Sequence, residues 1–426
     1  MKLDLPRGMR DIEPKEYATL EFVRQKFIET SNLFGFKFME PSPIELVSVI
    51  ETKSGPSIKD EIYYFKDKGE REVALRFDFT IGLTRYAVSQ KSMRLPAKFS
   101  TFGGVWRYDE PQKGRYRFFH QWDIEIYGEP STESDAEIID FASKFFSNLG
   151  LQDITIDICD RFLIESYVKE VFKTESQEKI ADILRAIDKI QKKRMQEIMK
   201  EYQEKGYSAE DLEKVLEFSQ MKGTPAEIQS KIDTTKLKNW EKILELFESL
   251  RNRRVENVRI NFGIVRGLDY YSGIVFEIFD SSSDLGALVG GGRYDTLTKA
   301  FGRGDMGATG AAGGVERIVH SLERQGLSKD AEVPRVWVAY VNDEMRKIAI
   351  NTAAELRLKG VPAEVDLAGK ALRKQMDLAS GSNYVIIIAP KEYSEKLVVV
   401  RNMKDGTEKQ VKLETVLADP RANLQS

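Results

Sequence analysis

Residues 108–128, YDEPQKGRYRFFHQWDIEIYG, set a charged, turn-prone run directly before an alternating one. If 116–127 is a strand, residues of one parity share a face. Arg117, Phe119, Gln121, Asp123, Glu125 and Tyr127 then point one way; Phe118, His120, Trp122, Ile124 and Ile126 point the other and make a core face. The polar face is either solvated or the floor of a site. Phe119 among the polar residues favours a site. So does the preceding loop, where Lys113, Arg115 and Arg117 join Arg107 in numbers sufficient to hold a polyphosphate. A flat aromatic ring, cations and carboxylates together suit a nucleotide beside a small cationic or hydrogen-bonding substrate.

Three later segments add candidates. IVRGLDYYSGIVFEIF (264–279) carries Arg266, Tyr270 and Tyr271 on a loop entering a strand. GALVGGGRYD (286–295) groups Gly290, Gly291 and Gly292. No Gly-Lys-Ser/Thr follows, so this is not a phosphate-binding P-loop, and a tight turn is the simplest reading. GATGAAGGVERIV (307–319) sets small residues before a helix with Arg317 in its first turns. Small residues there let a backbone or ligand approach closely.

The elements that must position these residues follow from periodicity. Residues 15–34 read as a helix, with Pro14 at its start and Gly35 after its end. FKFMEPSPIEL is extended, because Pro41 and Pro43 forbid helix. EIYYFKD and REVALRFDF are short strands around a Lys68-Gly69 turn, and AKFSTFGGVWRY pairs with RFFHQWDIEIYG. From 162 to about 253 the pattern is helical. Thr174-x-x-Gln177, Ser208-x-x-Asp211 and Thr224-Pro225-x-Glu227 mark helix starts there. Strand signal resumes at VENVRINFG, so the helical stretch interrupts one domain. Residues 331–426 alternate strand and helix; VWVAYV and YVIIIA suit strands buried on both faces of a largely parallel sheet, and a hairpin turns at Asp405-Gly406.

Composition narrows the function classes. The net charge of −3 gives no global electrostatic reason to bind nucleic acid. Residues 331–426 hold 15 Lys and Arg against 13 Asp and Glu, a weak basic tilt. A single cysteine, Cys159, excludes an internal disulfide and a Cys-pair zinc site, and is read as a core residue. Two histidines, His120 and His320, exclude a histidine-rich metal site. No window is apolar enough for a membrane span and no apolar leader is visible, so a reducing cytosol is expected.

PQKGRYRFFHQ, RGLDYY, LVGGGRYD and GGVER, in this order, resemble the signature segments of histidyl-tRNA synthetase, a class II aminoacyl-tRNA synthetase. PRGMRDIEP, LRFDFT and the C-terminal unit extend the resemblance over essentially the full chain. It implies an α+β fold: an antiparallel six- or seven-stranded sheet flanked by helices, an all-helical insertion and an α/β anticodon-binding domain. The expected boundaries are 1–161 and 254–328 for the catalytic domain, 162–253 for the insertion and 331–426 for the anticodon-binding domain. Histidine, ATP with Mg2+, and tRNA(His) are the implied substrates and cofactors, and a cytoplasmic homodimer the implied form. Position by position, the resemblance gives Arg107 the ATP α-phosphate, and Phe119 and Arg317 the adenine. Asp109 stands at a further adenine contact, shorter than the usual glutamate. Arg115 approaches the outer phosphates, and Arg266 the α-phosphate and the substrate carboxylate. Asp78, Thr80 and Gln121 take the α-ammonium group; Glu125 and Tyr271 take the imidazole, with Tyr270 lining the pocket. Gln112 and Lys113 lie near the tRNA end. Arg107 and Arg266 are the expected catalytic residues. A synthetase-like regulatory subunit of ATP phosphoribosyltransferase is the main rival, and the C-terminal unit argues against it.

Overall fold

The computed structural model describes residues 3–110, 116–190, 193–264, 271–329 and 335–424. It divides into two compact units, Met1–Lys329 and Asp330–Ser426. The first contains β1 (Lys37–Phe38), β2 (Ile44–Leu46), β3 (Tyr64–Lys66), β4 (Glu72–Leu75), β5 (Ala97–Trp106) and β6 (Phe118–Gly128), followed by β7 (Ile154–Asp160), β8 (Lys222–Gly223), β9 (Val258–Asn261), β10 (Ile274–Asp280), β11 (Ala287–Arg293) and β12 (Gly307–Gly314).

Among the described residues, β2, β4 and β3 form a small antiparallel sheet, and the other nine strands form one large sheet in the order β1-β5-β6-β12-β11-β10-β7-β9-β8. The six strands from β5 to β7 run antiparallel throughout. β1 joins one side parallel, and β9 joins the other parallel. The extra strands beyond the expected six or seven are short: β1 and β8 have two residues each, too few to show an alternating pattern.

The alternation read along 116–127 sets which side of β6 meets the core. Trp122, Ile124 and Ile126 are buried against helices Pro14–Leu33 and Thr132–Leu149. Phe27 and Phe145 place their rings 5.5 and 5.3 Å from the Trp122 ring. Rings at these separations add directional contacts to the area that they bury. Helix Thr132–Leu149 starts where Ser131 accepts from the Ser134 amide, and ends at Gly150 with φ +82°. The helix Pro14–Leu33 thus holds the predicted place, and it packs on the face of β6 opposite Gln121 and Glu125.

The glycine run is strand, not turn. Gly290, Gly291 and Gly292 lie inside β11. A Cβ on Gly291 would meet the Gly310 carbonyl and the Phe276 ring, each at 2.5 Å. The missing side chains allow close approach between strands, a need set by partners remote in sequence.

Between β7 and β9 the described chain is helical apart from β8. The cap at Thr224 is a full capping box with Glu227, and Ser208 accepts from the Asp211 amide. The Thr174 reading misplaces the first start: helix Gln177–Ile190 begins after Ser176, whose hydroxyl accepts from the Lys179 amide, while Thr174 accepts from Ser176. Two hydroxyl residues two positions apart compete for one cap. Helical residues such as Leu212, Val215 and Phe218 belong to the same buried cluster as the sheet, and Phe218 stacks on Phe262 with centroids 4.3 Å apart.

The second unit holds β13 (Val336–Tyr340), β14 (Ala363–Val365), β15 (Tyr384–Ile388), β16 (Leu397–Asn402) and β17 (Glu408–Lys412), ordered β14-β13-β15-β16-β17. β13 pairs parallel with β14 and β15; β16 and β17 form the expected hairpin, with Gly406 at φ +74°.

Candidate active site

The second face of β6 is buried rather than solvated. Gln121, Asp123 and Glu125 are 4%, 0% and 1% exposed. Gln121 Nε2 donates to Asp123 Oδ1 at 2.7 Å, and Thr80 Oγ1 donates to Asp123 Oδ2 at 3.3 Å. Thr80 opens helix Thr80–Ser89, where the Ile81 amide donates to Asp78 Oδ1 at 3.2 Å. Lys53 pairs with Asp78 at 2.8 Å, both side chains buried. Glu125 Oε2 accepts from the Tyr294 hydroxyl. Gly310 stands opposite Glu125 in the ladder, and a Cβ there would overlap Oε2. The strand pattern thus puts three polar residues in step, and a glycine from β12 makes room for the last.

Burial governs the charge on these acids. Desolvation pushes the Glu125 carboxyl up to about 8, with the neighbouring Asp123 adding to the shift and the Tyr294 hydrogen bond opposing it. Burial likewise pushes Asp123 up to about 7, against the hydrogen bond from Gln121. The field of Lys53 opposes both shifts. A carboxyl held in a dry site ionises readily only when a cationic or hydrogen-bond-donating partner arrives.

Beside this buried row lies a cavity of about 610 Å³, within the size range of small-molecule sites. Arg107, Asp109, Phe119, Gln121, Tyr271 and Arg317 all line it. Arg107 is fixed before any ligand enters: its Nε donates to the Phe77 carbonyl at 3.0 Å and its Nη2 to Gln121 Oε1 at 3.2 Å. Its guanidinium sits 5.1 Å from the Phe119 ring centroid. Arg317 donates to the Ala287 carbonyl at 2.7 Å, which ties helix Val315–Arg324 to β11. The lining also includes Glu277 on β10 and Glu316 beside Arg317.

Not every expected residue is on this wall. Asp78, Thr80 and Glu125 are absent from the cavity lining; the chain from Gln121 through Asp123 to Thr80 connects the first two to it. Gln112, Lys113, Arg115, Arg266 and Tyr270 lie outside the described residues. Arg117, read from sequence as a further phosphate cation, is buried in a structural role. It donates to the carbonyls of Asp109 and Arg7 at 3.1 and 3.3 Å and lies 3.9 Å from the Tyr108 ring centroid. It precedes β6, so strand parity does not fix its direction. Sequence reasoning gave no role to Lys53, Tyr294, Gly310 or Glu316. For Tyr294, Gly310 and Glu316 the signal was at hand, since all three sit inside the quoted segments and the small residues of 307–319 were read as allowing close approach; Lys53 is joined to the site only by the fold.

Comparison with known proteins finds relatives over nearly the full chain. A family model described as histidyl-tRNA synthetase matches residues 8–318, and one described as an anticodon binding domain matches residues 335–419. A histidine–tRNA ligase of Pyrococcus furiosus is 33% identical over 424 residues, covering 96% of this chain and 97% of its own. That of Thermococcus kodakarensis is 34% identical over 431 residues, covering 98% of each. Among solved structures, a histidyl-tRNA synthetase from a Nostoc species shares the fold with a TM-score of 0.83 at 22% identity, covering 100% of this chain and 99% of its own. With a family match over most of its length and relatives above 30% identity end to end, the chain belongs to the histidyl-tRNA synthetase family.

Proposed function

We propose that the cavity and the buried row on β6 are two adjoining subsites in which ATP and histidine meet. The activity is ATP-dependent attachment of histidine to tRNA(His) through a histidyl-adenylate. One observation carries the site reading: Gln121 lines the cavity beside Arg107, while the same strand face continues into Asp123 and Glu125.

In this reading Phe119 and Arg317 hold the adenine, with Asp109 close by. Arg107 and Arg266 stabilise charge on the α-phosphoryl oxygens, and Arg115 meets the outer phosphates. Asp78, Thr80 and Gln121 receive the α-ammonium group; Glu125, Tyr270 and Tyr271 receive the imidazole. The histidine carboxylate attacks the α-phosphorus and pyrophosphate leaves. The terminal ribose hydroxyl of the tRNA, guided past Gln112 and Lys113, then attacks the acyl carbon and AMP leaves. No protein nucleophile is needed; holding reactants in line and meeting developing charge suffice. Mg2+ uses one or two carboxylates together with phosphate oxygens and water. Glu277 on the cavity wall fits that demand, and the metal would there neutralise phosphate charge.

The domain assignments 1–161 with 254–328, 162–253 and 331–426 belong to the same proposal, as do a cytoplasmic location and a homodimer. Support for the homodimer comes from exposed apolar side chains at one sheet edge and the small sheet: Phe38, Ile44, Leu46, Tyr64 and Phe65. None of the described helices is long and apolar enough to cross a membrane.

The test is histidine-dependent ATP–pyrophosphate exchange, followed by charging of tRNA(His). Arg107→Ala is expected to lower exchange by about 10²–10³ with the fold kept. No exchange by the parent chain, or a near-parental rate for the variant, would refute the assignment.

A further inference from the structure

The ladder between β6 and β12 ends at the pair Gln121 and Gly314. At the next residue the chain leaves the sheet as helix Val315–Arg324. The amide of His120, one residue beyond the last ladder pair, therefore loses a strand acceptor on that side. The carboxylate of Glu316 takes the place of that acceptor. His120 N donates to Glu316 Oε1 at 2.9 Å and to Oε2 at 3.0 Å, and His120 Nδ1 lies 3.2 Å from Oε1. Glu316 is buried, so this is a charge-assisted bond shielded from water rather than a surface contact.

Its position gives this bond a consequence. His120 lies between Phe119 and Gln121, and Glu316 lies immediately before Arg317. The bond thus joins the backbone that carries Phe119 to the helix turn that carries Arg317, and both of these side chains line the same cavity. We propose that Glu316 is a positioning residue that sets the gap between Phe119 and Arg317, acting on the main chain of His120 rather than on the ligand. This rests on the reading of that gap as the adenine slot. The essential property is reach with an oxygen acceptor; neither the negative charge nor the imidazole of His120 is required.

That distinction is testable by measuring the KM for ATP and for histidine separately in the exchange reaction. Glu316→Ala is expected to raise the KM for ATP about tenfold, the scale of an orphaned buried donor, with the KM for histidine little changed. Glu316→Gln keeps an acceptor at the same reach and is expected to stay close to the parent. Glu316→Asp keeps the charge but withdraws the acceptor, and is expected to resemble Glu316→Ala. His120→Ala keeps the amide and is expected to stay close to the parent. The proposal is overturned if Glu316→Gln is as poor as Glu316→Asp, if His120→Ala shows the full defect, or if every Glu316 variant leaves the KM for ATP unchanged. Should Glu316→Ala not fold, the contrast between the Gln and Asp variants still decides. Phe119→Ala and Arg317→Ala are measured alongside. If these also leave the KM for ATP unchanged, the adenine slot itself is misassigned. If they raise it while the Glu316 variants do not, only the positioning role falls.

Discussion

Glu125 is buried, yet it is the residue expected to accept from an imidazole. Its partner Tyr294 donates to carboxylate oxygen Oε2 and so orients the group within the buried row. Tyr294→Phe removes that donor and is expected to raise the KM for histidine several-fold in pyrophosphate exchange, with the KM for ATP little changed; equal effects on both substrates would speak against the role. The raised pKa values carry a stability consequence with a definite sign. In the folded chain Glu125 and Asp123 hold their protons more tightly than in the unfolded chain. Their contribution to stability is therefore complete below the ordinary carboxylate range, and is lost as pH rises through about 7 to 8. Glu125→Gln removes one of these titrations. Relative to the parent without ligand, the variant is expected to gain stability between about pH 5 and pH 8.5, by about 1–3 kcal/mol. Denaturant midpoints at the two pH values check this, and a pH-independent difference would contradict it.

At the scale of elements, the site exists because β12 and β11 approach β6 and β10 closely at glycines. Gly310 is the sharpest case, since a Cβ there would meet both Glu125 and the carbonyl of Ile124. Gly310→Ala is expected to cost about 1–3 kcal/mol of stability through overpacking and to impair histidine activation more than ATP binding. Thermal melts with substrate KM values distinguish this from a neutral change. The β11–β12 pairing is also where the sequence reading failed. A glycine run looks like a turn when judged by neighbours in the chain; its meaning came from Phe276 and Gly310 across the sheet. The amphipathic strand β6 and the cap at Thr224 were legible because their signals are local. The cap at Ser176 was not, because two hydroxyls offered equivalent starts.

At the scale of the whole molecule, each unit has a core of its own, one spanning the large sheet with the inserted helices and one spanning β13–β17. A chain ending at residue 329 is therefore expected to fold and to keep histidine-dependent exchange, while losing charging efficiency on tRNA(His) by at least about tenfold. Loss of exchange in that truncated chain would show that the second unit supports the first. With a net charge of −3, tRNA affinity must rest on local cations, so the slope of log affinity against log salt counts the phosphates engaged.

By itself the sequence determined the family-bearing segments, the two-sided alternation of β6, the helical stretch between β7 and β9, and the strand–helix alternation of the second unit. These are properties of spacing and residue type, and they act over a few residues. Tertiary structure alone decided that the polar face of β6 is dry, that Arg117 serves the main chain instead of the cavity, and which contacts tie Lys53, Tyr294, Gly310 and Glu316 to the buried row and the cavity wall. Desolvation, close approach and ladder endings depend on which distant segments are brought together, and no local pattern encodes them.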